Sequence, residues 1–74
     1  MSLEVIDALN MRRSAALRRH RTLEVLRGHA ADTGMAELAC LYAKSETVCG
    51  FEVLALGDLI IEFYERGRRS DASN

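Results

Sequence analysis

Proline and tryptophan are absent from this chain of 74 residues, and aromatic residues make up only 5% of it. Without proline the commonest helix breaker is gone. With so few rings, the residues that usually fill sandwiches and barrels are missing too. No apolar run approaches the roughly 18 residues of a membrane-spanning helix. Cys40 and Cys49 make neither a C-x-x-C pair nor a disulfide framework, and nothing ahead of them reads as a secretory signal. A soluble, reducing, cytoplasmic setting is therefore expected. There is no nucleophile elbow and no phosphate-binding glycine loop. His20 and His29 stand nine apart and are read as surface or loop residues, with no carboxylate or thiol at ligand spacing. The expectation is a chain with no catalytic residue, no cofactor and no metal.

What is present is aliphatic. Hydrophobic residues are 49% of the sequence, and from Met35 to Phe63 they fall at an unbroken alternation of three and four. Met35, Ala39, Tyr42, Glu46, Cys49, Val53, Leu56, Ile60 and Phe63 form one stripe, with Glu46 its only charge. That period is the seam of a long helix packed along another. The net charge of −1 hides an asymmetry. Residues 1–31 hold six arginines against Glu4, Asp7 and Glu24, a net of +3, while residues 32–65 hold seven acids against Lys44, a net of −6. Oppositely charged segments in one short chain are expected to lie against each other.

Capping signals divide the chain into two helices. Ser2 is a good N-cap, Gly28 a natural terminator, and Asp32-Thr33-Gly34 supplies turn chemistry and a cap for the second helix. Helix 1 is expected over about 3–27, a loop over 28–33 and helix 2 over about 34–66, ended by Gly67. Together they form one domain over 1–67, and the polar segment 68–74 is expected to be a flexible tail. A connection of that length folds the helices back antiparallel. Helix 1 then faces helix 2 with Val5, Leu9, Arg12, Ala16, Arg19, Leu23 and Leu26. This register sets Glu46 near Ala16, where Arg12 or Arg19 forms a buried ion pair with it.

Helix 2 is too apolar for a hairpin by itself. Leu41, Val48, Leu54, Ala55 and Leu59 lie off the seam, and the segment from Leu59 to Tyr64 outruns helix 1. A helix apolar on several faces is buried on several faces, so the fold expected is an all-α helical hairpin dimerising into a four-helix bundle. The interface expected for a second copy or a protein partner is Tyr42, Cys49, Val53, Leu56, Leu59, Ile60, Phe63 and Tyr64. A competing α+β reading makes 51–64 a β-hairpin around Gly57-Asp58, but Leu54-Ala55-Leu56 and Leu59-Ile60-Ile61 break the alternation it needs.

The arginine cluster of helix 1 is the one feature with nucleic-acid character. Its candidate face is Asn10, Arg13, Arg18 and Arg21. Ala8-Leu9-Asn10-Met11, Arg13, Leu23-Glu24 and Leu26 resemble the first helix of the Rop-type plasmid RNA-binding proteins, over about a third of the chain. The resemblance implies an antiparallel hairpin dimer whose first helices bind paired RNA loops. Asn10 keeps the pattern, whereas Ser14 stands at an aromatic position and Leu3 and Val25 stand at lysine positions. The function expected first is a non-enzymatic regulator or adaptor acting by protein–protein contact, of the kind phages and mobile elements use to inhibit or escort a host protein. RNA or DNA binding by helix 1 is the alternative.

Overall fold

The computed structural model describes the backbone of residues 3–72 and the side chains of residues 3–68. The chain is an all-α helical hairpin. Helix α1 spans Leu3–Asp32, helix α2 spans Ala36–Ala72, and the two pack along each other. The β-hairpin reading of 51–64 is corrected: α2 runs unbroken through Gly50 and Gly57, and no strand occurs among the described residues. Each glycine lowers helix propensity by about 1 kcal/mol. Packing offsets this, because both lie under side chains of α1: the His20 ring is 3.9 Å from where a Gly50 Cβ would be, and Arg13 Nε 3.7 Å from a Gly57 Cβ.

The turn lies further along the chain than the capping signals imply. Gly28 does not end α1. The glycine that does the work is Gly34, at φ 78°, in the left-handed region that side chains avoid. Met35 N–H donates to Ala30 O at 2.8 Å and Gly34 N–H to Ala31 O at 3.2 Å. This bond pair is a Schellman closure of a helix C-terminus. Thr33 belongs to the same closure, donating its hydroxyl to His29 O at 2.9 Å. It therefore satisfies the end of α1 and does not cap α2. At the far end α2 continues through Gly67 to Ala72, so residues 68–72, expected as a tail, are helical. Ser2, the expected N-cap, and residues 73–74 lie outside the described residues.

Moving the turn shifts the hairpin register by about one heptad, seven residues. On α2 the expected seam holds: Glu46, Cys49 and Leu56 are buried, and Ala39, Tyr42, Val53, Ile60 and Phe63 are half-buried. Met35, its first member, is exposed. On α1 only alternate members hold. Leu9, Ala16 and Leu23 face α2 as expected, but the positions between them are Ile6, Arg13 and His20, not Val5, Arg12 and Arg19. Steps of three and four both suit a 3.6-residue turn. The apolar character of Val5 and Leu26 favours the wrong side of the choice.

The new register also moves the overhang. Ile6, near the start of α1, is only 5% exposed, so the C-terminal part of the α2 seam lies against it. Ile60 and Phe63 are half-buried on the α2 seam. The expectation that Leu59–Tyr64 is uncovered is corrected for Ile60 and Phe63, while Leu59, Ile61 and Tyr64 are exposed.

The core is thin. Among the described residues the buried apolar positions are Ile6, Ala16, Ala30, Cys49 and Leu56, and three of these five are alanine or cysteine. The radius of gyration is 17.3 Å, against about 11 Å for a compact chain of this length.

Candidate functional site

In an antiparallel helix pair the residues beside the seam form two long flanks. On the first flank Arg12 Nε and Arg19 Nη1 lie 3.5 Å from the two oxygens of Glu52. Val5, Leu26, Leu38 and Leu59 line the same flank and are 37–41% exposed. Arginines and aliphatic stems together close this side. The buried pairing expected of Arg12 and Arg19 with Glu46 is therefore corrected. Both arginines are largely exposed, and both reach Glu52.

Glu46 is buried, as the seam requires, and its partner is Arg27. Arg27 Nε donates to Glu46 Oε2, so this ion pair joins the two helices at a buried carboxylate. That hydrogen bond, followed by the carboxylate's charge, holds the guanidinium above its ordinary pKa. Arg27 was hidden from the sequence argument because the expected helix 1 ended there. Extending α1 to Asp32 brings it opposite Glu46.

The second flank is open. Gly50 and Gly57 keep its floor low, and Leu17, His20, Thr47, Gly50, Phe51, Val53 and Leu54 line a groove of about 390 Å³ there. Its rim is strongly apolar. Phe51 is 67% exposed and Leu54 66%, with Val48 and Ile61 exposed on the adjoining faces of α2. Of the residues expected at a partner interface, Cys49 and Leu56 are instead buried within the hairpin, where the Cys49 thiol donates to Ala16 O at 3.0 Å. Tyr42, Val53, Ile60 and Phe63 are half-buried on the same seam. Leu59 and Tyr64 remain exposed, Tyr64 by about half. Phe51 is the groove residue that sequence reasoning did not single out; Leu54 was placed off the seam and Ile61 in the overhang, but neither was put in the expected interface. Their off-seam spacing was the signal.

A polar cluster lies in the same flank, nearer the turn. His20 Nδ1 is 3.0 Å from Glu24 Oε1 one turn along α1, and the ligand atoms of His20, Glu24 and Glu46 all fall within 4.8 Å of one another. The expectation that no carboxylate stands at ligand spacing from a histidine is corrected, since Glu24 follows His20 by four. His29 is exposed on α1, apart from this cluster. Cys40 is exposed and unbridged, and Cys49 is a free thiol.

The candidate nucleic-acid residues divide. Arg13 lies half-buried over Gly57, while Asn10, Arg18 and Arg21 are exposed. The outward basic face of this set is therefore two arginines. None of the described helices is long and apolar enough to cross a membrane. No family model, no curated protein and no solved structure matches the chain.

Proposed function

We propose that this chain is a non-enzymatic interaction module, in which two hairpins join through their open flanks into a four-helix bundle that regulates or escorts another protein. The observation that carries the reading is the exposure of Phe51 and Leu54 beside an apolar groove, on a hairpin whose own core is mostly small residues. Chains of this size seldom stand on one thin core, and oligomerisation is a common remedy. A two-fold dimer lets one apolar face cover its own copy. Large exposed apolar patches on soluble proteins mark contact sites.

Sedimentation at micromolar concentration tests it. The wild-type chain is expected to run as a dimer, and Phe51→Asp with Leu54→Asp as a helical monomer. A wild-type chain that is monomeric and fully helical over the same range would overturn the proposal. The RNA-binding alternative would rest on Asn10, Arg18 and Arg21. It requires retention on heparin at low salt and a steep salt dependence; a chain of pI about 6.1 that flows through rejects it.

A further inference from the structure

We propose that His20, Glu24 and Glu46 form a binding site for a divalent transition-metal ion of the zinc class, with Arg27 as the cation the metal displaces. Zinc accepts imidazole nitrogen and carboxylate oxygen at about 2.0–2.2 Å, which in a tetrahedral site sets neighbouring donors roughly 3.3–3.6 Å apart. His20 Nδ1 and Glu24 Oε1 stand at 3.0 Å, close to that spacing. Both come from one face of α1, four residues apart, so the helix itself holds their spacing. The third donor comes from α2. Glu46 is 8% exposed, and its carboxylate lies within 4.8 Å of the other two donors. Small rotations of the two glutamate side chains close that distance.

Three further observations fit a cation here. The cluster opens on a groove of about 400 Å³ lined by His20, Arg27, Ala43, Glu46, Thr47 and Gly50, so an ion has a way in and room for a water as fourth ligand. The imidazole lies against α2 at Gly50, with Nε2 3.9 Å from where a Cβ would be. Finally, Glu46 already holds a positive charge. The guanidinium of Arg27 is about half exposed and sits on a long flexible stem, so it can swing to solvent when a metal takes its place. An ion held by both helices binds the folded hairpin and not the open chain, so it stabilises the fold by mass action. All three donors belong to one chain, so the site needs no second copy.

The test is a titration of the full chain with zinc ion, read by calorimetry and by melting temperature. One ion per chain is expected, with a rise in melting temperature that saturates. His20→Ala and Glu24→Gln, both at accessible positions, should each weaken binding at least tenfold while leaving the helical spectrum unchanged. Arg27→Gln should act in the opposite sense. It removes the competing cation, so zinc should bind more tightly and the melting temperature should rise further on loading than in the wild type. Cobalt substitution should give visible bands without a thiolate charge-transfer band. No binding, binding unchanged in His20→Ala with Glu24→Gln, or a thiolate band placing the ion on Cys40 would each overturn the proposal. So would an Arg27→Gln chain that binds no better than the wild type.

Discussion

The two flanks of this hairpin lie side by side along the same helices and are finished in opposite ways. On one, Arg12 and Arg19 reach across to Glu52, and aliphatic residues are covered to about two-fifths exposure. On the other, glycines replace the bridging side chains, and Phe51 and Leu54 stand two-thirds exposed over a groove. A helix pair needs both flanks covered to keep water from its seam. Only one is covered from within the chain, and the proposed dimer would use the other. The same difference explains why both candidate sites, the apolar groove and the His20–Glu24–Glu46 cluster, fall on the same side.

The largest expected effect comes from placing the same charge on each flank. Burying a Phe or Leu side chain stabilises by about 1.5–3 kcal/mol, and about 1.4 kcal/mol is a factor of ten in affinity. Phe51→Asp with Leu54→Asp should therefore weaken self-association at least about a hundredfold, read by sedimentation. Leu59→Asp, on the closed flank, should change it by less than about tenfold. Equal losses from both would abolish the distinction between the flanks.

Next in size is the pair Arg27–Glu46. Glu46 is the buried member, so removing the half-exposed arginine leaves its charge without compensation, whereas replacing both with apolar residues is often neutral. Arg27→Met should lower the melting temperature more than any substitution at Arg12, Arg19 or Glu52. The double variant Arg27→Met with Glu46→Leu should recover most of that loss. If it does not recover, Glu46 is held in place by something other than its arginine partner.

The hairpin itself was legible in the sequence, and so was the seam of α2, because about eight turns of one period leave few other ways to read it. The register was not. It depended on choosing between Gly28 and Gly34 as the residue that ends α1, and both follow a plausible helix. What separates them is the Schellman pattern of hydrogen bonds around Ala30, Ala31 and Met35, which involves backbone groups and leaves no mark on side-chain spacing. From that one choice followed the wrong partner for Glu46, the wrong half of the α1 seam and the misplaced overhang. The apolar residues off the seam, Val48 and Leu54, were visible throughout. They gave the reason to expect a second copy, but without the register they could not be assigned to one flank.

Glycine substitutions give the next smaller effect and probe the open flank again. A Cβ at Gly28 would meet nothing within 4 Å, and one at Gly57 would make an ordinary contact at 3.7 Å with Arg13. Gly28→Ala and Gly57→Ala should each stabilise the helix by up to about 1 kcal/mol, seen as a higher denaturation midpoint. Gly34→Ala should destabilise by about 1 kcal/mol, because its φ of 78° disfavours a side chain. If Gly57→Ala also weakens self-association while Gly28→Ala does not, the groove floor is part of the dimer contact.

The smallest effect belongs to the closed flank. Arg12 and Arg19 contact Glu52 at 3.5 Å with side chains 73% and 60% exposed. Exposed ion pairs contribute about 0–1 kcal/mol each, and salt screens them over a Debye length of about 8 Å at physiological ionic strength. A double-mutant cycle on Arg19 and Glu52 should give a coupling below about 1 kcal/mol that shrinks as salt is added. What the two arginines contribute to this flank is coverage by their aliphatic stems. Arg12→Met and Arg19→Met should therefore leave stability nearly unchanged, whereas Arg12→Ala and Arg19→Ala should lower it modestly. A large coupling that persists in high salt would mean that the closed flank is held by charge. The contrast with the open flank would then be one of electrostatics, not of covered and uncovered apolar surface.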